Sequence, residues 1–299
     1  MPDITKATAF MATHARLVDR RRLDLLLHDG PPQGVLAALA AYRNDDGGFG
    51  WALESDLRAP ASQPAGALHA FELLEEVAPL TSPFGGELCD WLDAVTLADG
   101  GLPFVVAGAA TPGTAPWWAS ADPTTSSLHI TSAVCAAAHR LRPHDPAVAG
   151  HRWLQRATDY CMSALAGNAE PATGYELRFV LELLDATTDV VPEAEAQLAR
   201  LGRLLPPSGE LPVRGGVEDE KLRPLDYTPR PGRPLREHVP SQAVERDLDR
   251  LAASQRDDGG WEVDFPSSSP AGAIEWRGYA TVRAIAVLQA NGRLRTRPS

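Results

Sequence analysis

A short signature returns three times along this chain. It reads DDGGFGW from Asp45 to Trp51, DGGLPF from Asp99 to Phe104, and DDGGW from Asp257 to Trp261. A weaker copy, SGELPV, runs from Ser208 to Val213. Asp46 and Asp99 are 53 residues apart, and 159 residues, three such intervals, separate Asp99 from Asp258. The period therefore asks for copies near positions 152 and 205. SGELPV stands close to the second. Near the first, a helical pattern runs into GNAEPATG, Gly167 to Gly174, and the signature is lost. A fixed period of this kind marks a repeat architecture, in which each unit must bury its apolar face against its neighbours.

Each signature follows an amphipathic pattern. Leu36 and Leu39 share one face before the first copy. Leu88, Trp91, Leu92 and Val95 fall at i, i+3, i+4 and i+7 before the second, and Val244, Leu248 and Leu251 share a face before the last. Such helices bury one stripe. The segments that follow read differently. Ser126 to Leu141, Ala65 to Leu74 and Ala271 to Leu288 are small and apolar on most sides, as helices buried on two sides are. This alternation predicts an all-α fold, an α/α toroid of two concentric helical rings with five to six helix pairs, in a single domain over residues 1–299. The Ala-rich helices would form the inner ring around a central cavity. SQPAGALHA at Ser62 and SSPAGAIEW at Ser268 both set Pro at the start of an inner helix, where it is tolerated. The helix from Ile4 to about Leu27 is expected to close the ring. The signature becomes a tight turn whose glycines supply positive φ, whose Asp caps the backbone, and whose Phe, Leu or Trp plugs the gap between helices. The stretch 206–240 holds eight prolines and the acidic run Glu218–Glu220, and reads as an ordered excursion over one end of the barrel.

The net charge of −11 argues against a nucleic-acid partner. No run approaches the roughly 18 apolar residues of a spanning helix, so no transmembrane segment is expected. The start of the chain lacks the apolar core of a signal peptide. Cys89, Cys135 and Cys161 are scattered and odd in number, which fits reduced thiols in a cytoplasmic protein.

The signatures resemble the QW-type repeats of squalene–hopene cyclases and the repeats of protein prenyltransferase β subunits. Ser254 to Trp261 is a close match, Tyr42 to Phe49 matches without the Gln, and the resemblance covers roughly residues 33–290. It implies a toroid that takes an isoprenoid into its central cavity and cyclises it by protonation, as a class II terpene cyclase does. In those cyclases an Asp-rich motif at the head of an inner helix supplies the proton. The matching segment here is Ser120-Ala121-Asp122-Pro123-Thr124-Thr125, with Ser120 where the first Asp would stand and Pro123 in place of the next. The resemblance thus implies Asp122 as proton donor, with Thr124 beside it. Such a step needs a carboxylic acid held protonated in a dry cavity, with aromatic faces to stabilise the cation. The residues alone equally describe a helix cap finished by Thr124 and Thr125. The prenyltransferase subunits build a zinc site around a D-x-C pair. Asp159-Tyr160-Cys161 has that spacing, but nothing forces it to converge with His129, His139 or His151, and no metal is expected. Mg2+ is implied only for a diphosphate substrate, and no other cofactor.

The segments after the signatures should cross the cavity mouth. They carry Trp51, Glu54, Asp56 and Arg58 in the first unit and Trp117 and Trp118 in the second. Tyr175 opens a third inner helix, Asp226 and Tyr227 lie in the Pro-rich stretch, and Trp276 and Arg277 lie on the last helix. Together they read as a substrate pocket with aromatics, acids, and Arg58 or Arg277 for an anionic head group. The other reading makes Glu54, Glu275 and the arginines ion pairs between repeats and the Trp residues core plugs. His69, His129 and Cys135 read as packed core groups. The basic cluster of His14, Arg16 and Arg20 to Arg22 reads as a solvated face, with a diphosphate contact as the sharper alternative. Two further functions fit the same toroid: a non-catalytic binder of an isoprenoid or other hydrophobic ligand, and an interaction scaffold with a filled barrel.

Overall fold

The structure, a computed structural model, describes residues 1–167, 169–213, 219–265 and 267–294. Its three strong signatures share one turn. Asn44, Leu97 and Arg256 donate their N–H to the carbonyls of Gly48, Gly101 and Gly260, each at 2.9 Å. The Asp side chain then accepts the N–H two residues on: Asp46 from Gly48 at 2.9 Å, Asp99 from Gly101 at 3.1 Å, and Asp258 from Gly260 at 3.1 Å. The same oxygen reaches forward to the next helix, accepting from the hydroxyls of Ser62 and Ser126 and, in the last copy, from Arg277. The first glycine of the pair has no freedom to be anything else. Gly259 sits at φ +96°, and a Cβ there would stand 2.2 Å from the Lys6 carbonyl oxygen. The plugs Phe49, Leu102 and Trp261 are fully buried, each worth about 2–3 kcal/mol as removed apolar surface. The weak copy keeps the geometry: Gly209 has φ +75°, and Ser208 accepts the Glu210 N–H at 3.2 Å in the Asp's place.

Around these turns the described residues form fourteen α-helices. They are α1 (Ile4–His14), α2 (Leu17–His28), α3 (Pro32–Leu39), α4 (Pro64–Glu76), α5 (Phe84–Val95), α6 (Pro116–Ala119) and α7 (Leu128–Leu141). Then follow α8 (Pro146–Ala149), α9 (Arg152–Ala164), α10 (Gly174–Thr187), α11 (Ala194–Gly202), α12 (Pro224–Tyr227), α13 (Ser241–Ala253) and α14 (Pro270–Ala290). The only strands described, β1 (Leu211–Pro212) and β2 (Lys221–Leu222), make a two-residue antiparallel pair. No described helix is long and apolar enough to cross a membrane.

Two kinds of helix alternate along the chain: α3 and α5, leading into a signature, bury a stripe, while α4 and α7, trailing one, are buried nearly throughout. α3 packs on α4 and α13 on α14, whereas α5 packs on α4 and α9 on α7. Pro64 and Pro270 occupy the first turns of α4 and α14, as the sequence suggests. Trailing helices pack on one another: α2 on α14, α4 on α7, and α7 on α10.

Two expectations change. The N-terminal helix is two helices, α1 and α2. Ala15 and Arg16 are extended, and the Arg16 guanidinium turns to the carbonyls of Ala52 and Leu53, which fixes the break. The chain therefore begins with a pair of its own. The Pro-rich stretch is the second change. The weak signature after α11 leads into no trailing helix among the described residues. The segment 219–240 packs beside α10, α11 and α13 through buried Leu222, Leu225, Tyr227 and Leu235. Arg283 of α14 also reaches it, at Asp226. The expected acidic run falls partly on Glu218, outside the described residues.

Candidate functional site

A cavity of about 1320 Å3 opens among the N-terminal halves of α4, α7, α10 and α14, and the segments after the signatures line its rim. Ion pairs link the helices around it, and of their members Arg178, Asp226 and Arg283 line the cavity. Arg22 on α2 pairs with Glu76 on α4 at 2.7 Å and with Asp19 at 3.0 Å. Arg140 on α7 reaches Glu75 on α4 at 3.1 Å and Glu182 on α10 at 3.8 Å. Arg178 on α10 pairs with Glu182 at 2.9 Å. Arg283 on α14 pairs with Asp226 of α12 at 3.0 Å and donates to the Leu225 carbonyl at 2.8 Å. Burial alone would raise the Asp226 carboxyl, but Arg283 and Arg178 outweigh it and hold it below its ordinary range.

His69 on α4 lies between two carboxylates. Its Nε2 meets Glu54 and its Nδ1 meets Glu72, both at 2.8 Å. Burial disfavours the imidazolium, yet Glu72 and Glu54 overcome that penalty and push His69 up to about 9. The same exchange, helped by Arg22 and Arg140, carries Glu72 down to about 2 against its own burial. Glu72 also accepts from the Tyr279 hydroxyl at 3.2 Å. Arg22 lies over the Tyr279 ring, 5.0 Å from its centre.

Asp56 stands on the same side. It accepts from the Ser267 hydroxyl at 2.5 Å, the Trp276 indole N–H at 2.7 Å and the Ser268 N–H at 3.3 Å. Burial raises its carboxyl above the usual value, and those three donors oppose the rise. Across the cavity the wall is aromatic. Phe104 stacks on Trp118 at 4.3 Å, and His129 stacks on Tyr175 at 5.6 Å and on Phe179 at 5.0 Å. Burial and the nearby Arg178 push His129 down to about 4, so the ring is neutral.

Most of the sequence-derived pocket residues meet here. Glu54, Asp56, Trp117, Trp118, Tyr175, Asp226, Trp276 and Arg277 all line the cavity. Trp117 is at the mouth, 47 % exposed. Arg277 is spoken for, with its guanidinium on both oxygens of Asp258 and over the Phe10 ring. Three residues stand elsewhere. Trp51 is 54 % exposed on the outer turn, at φ +54°, with its indole N–H on Asn44. Arg58 is held by Glu275 at 2.5 Å, an ion pair between the first unit and α14. Tyr227 is buried core, its hydroxyl donating to the Gly209 carbonyl at 2.8 Å.

Asp122 takes the cap geometry. Its carboxylate accepts from the Thr124 N–H at 2.8 Å, the Thr124 hydroxyl at 2.6 Å and the Thr125 hydroxyl at 2.7 Å. It is exposed and does not line the cavity. The Thr124 and Thr125 hydroxyls lower its carboxyl, the reverse of what a proton donor requires. Thr124 serves the same cap.

Among the described residues no three His, Cys, Asp or Glu side chains gather as metal ligands, and Cys89, Cys135 and Cys161 are buried thiols. Sequence reasoning passed over Glu72, Phe179 and Arg283, and took His69 and His129 for packed core groups. For His69 and Glu72 a signal existed: two ionisable residues three apart within the apolar run of α4.

Neither the models of known protein families nor the curated proteins contain a match to this chain.

Proposed function

We propose that this protein is an α/α toroid that binds a small organic molecule in its central cavity. The toroid reading rests on the run of helix contacts. Each trailing helix touches the next from α4 through α7 to α10, the Pro-rich segment spans from α10 towards α14, and α14 meets α2, whose Arg22 reaches α4. The single observation that carries the binding reading is the cavity itself. About 1320 Å3 exceeds the usual 300–1000 Å3 of small-molecule sites, and it is rimmed by convergent acids, aromatics and arginines. A filled barrel serving only as an interaction scaffold would have no such space.

A second reading is favoured by the signatures: protonation-initiated cyclisation of an isoprenoid. The aromatic walls suit a developing carbocation. The acid for it would have to come from inside the cavity, where burial raises the Asp56 carboxyl, and not from Asp122.

Both readings meet one experiment. The protein is incubated with geranyl, farnesyl and geranylgeranyl diphosphates and with squalene, with binding followed by tryptophan fluorescence and products by mass spectrometry. Saturable binding without product supports the binder. Cyclic product that survives Asp122→Asn and disappears in Asp56→Asn supports cyclisation from Asp56. Loss of product in Asp122→Asn with the fold intact would return the acid role to Asp122.

A further inference from the structure

One corner of the cavity is built differently from the rest. The Phe265 and Trp276 rings stand 5.3 Å apart at 88°, and the Trp276 and Tyr279 rings 5.5 Å apart at 86°. Trp276 thus stands edge-to-face with Phe265 on one side and Tyr279 on the other, and all three rings line this end of the cavity. Around them lie three carboxylates, Glu54, Asp56 and Glu72, against the imidazole of His69 and the Arg22 guanidinium, which covers one face of Tyr279. Arg22 is itself paired with Asp19 and Glu76, and Arg58 with Glu275.

We infer that this corner seats an organic cation, a quaternary or tertiary ammonium group carried by the ligand. This rests on the cavity-binding reading and names the ligand class within it. Aromatic faces attract a desolvated cation through the ring quadrupole, and fixed carboxylates nearby add to the attraction. An anionic group would meet three carboxylates here. A bare metal ion would need several free oxygen ligands, whereas both Asp56 oxygens accept hydrogen bonds, and Glu54 is divided between His69 and the Asp56 N–H. What remains available is diffuse negative potential and ring faces, which suits a bulky charge that does not coordinate. A permanent ammonium also asks for no proton from the protein. The ligand's remaining body would lie towards the Phe104–Trp118 and His129 wall.

The test compares choline with 3,3-dimethylbutan-1-ol, its uncharged carbon isostere, by calorimetric titration. Choline is expected to bind at least tenfold more tightly. That preference is expected to fall to near unity in Glu72→Gln and in Phe265→Leu, whose lost ring donates no hydrogen bond, with folding checked by circular dichroism. Equal binding of the two probes overturns the cation inference and leaves the cavity reading standing. So does silence of both probes when a prenyl diphosphate binds. Failure of every probe removes the cavity reading as well. Choline preference that persists unchanged in both variants would move the cation site elsewhere and overturn the assignment.

Discussion

Stability should fall as pH rises from neutral to mildly alkaline, and His69 should account for the fall. Its imidazolium is locked between Glu54 and Glu72 in the folded protein and free in the unfolded chain. The rise from 6.5 to about 9, at about 1.4 kcal/mol per tenfold change in proton affinity, corresponds to about 3 kcal/mol. The sign follows from the raised value. The folded state binds the proton more tightly, so the contribution is whole below pH 6.5 and is lost as pH climbs through about 9. Glu72, held down at about 2, draws on the same contacts, so its share is not added to this. Its own signature lies on the acid side, where stability is present above its ordinary value and lost as pH falls towards 2. Urea unfolding of wild type and His69→Gln at pH 6, 7.5 and 9 isolates the effect, because every other titrating group is common to both proteins. Wild type should lose about 2–3 kcal/mol more than the variant between the ends of that range. Parallel profiles would show that the imidazole is neutral when folded and that the Glu54–His69–Glu72 arrangement carries no net charge interaction.

The signature turn makes a matched pair of predictions. Gly259→Ala drives a Cβ to 2.2 Å from a backbone oxygen at φ +96° and should cost about 2–4 kcal/mol in chemical denaturation. Gly292→Ala, at φ +69° with open space around it, should cost only about 1 kcal/mol; equal losses would mean the turn can relax. Arg283→Met takes the paired cation from half-buried Asp226 and should destabilise by about 1–3 kcal/mol. The double change with Asp226→Asn should recover part of that loss, and no recovery would deny the pairing.

The alternation of helices was legible because it is local. A 53-residue interval, a stripe before each turn and an apolar run after it need no knowledge of the partner. Even the degenerate copy at Ser208 gave itself away by position, and its hydroxyl does the work of the missing carboxylate. Asp122 was not legible. Its cap and its proposed acid role use the same neighbours in sequence, and only the direction of the carboxyl separates them. The N-terminal break was hidden for a related reason. It is held by Arg16 reaching carbonyls 36 and 37 residues away, and nothing in residues 14–17 reads as a stop. The ion pairs between helices were hidden most deeply. Arg22, Glu76, Arg140 and Glu75 each look like surface residues until helices 54 and 65 residues apart are side by side.

Those pairs bear on why there is a cavity at all. Helices lined with Ala, such as α7, can approach closely, and a ring of them would tend to collapse on its axis. Buried ion pairs add little net stability beside well-packed apolar groups, because desolvation offsets most of the attraction. Arginines tied to carboxylates of neighbouring elements are thus poorly explained as a source of stability. They are better explained as spacers. Arg22, Arg140 and Arg283 are long, and each must keep its partner. They set the spacing of α2 from α4, of α7 from α4 and α10, and of α14 from α12. On this view, shortening the spacer should narrow the cavity. Arg140→Ala paired with Glu75→Ala removes both members; Glu182 keeps Arg178, and Arg230, which also loses Glu75, is exposed to water. The double change should preserve the fold while weakening cavity ligands at least tenfold. Unchanged affinity in a folded double variant would show that the cavity keeps its width by backbone packing alone.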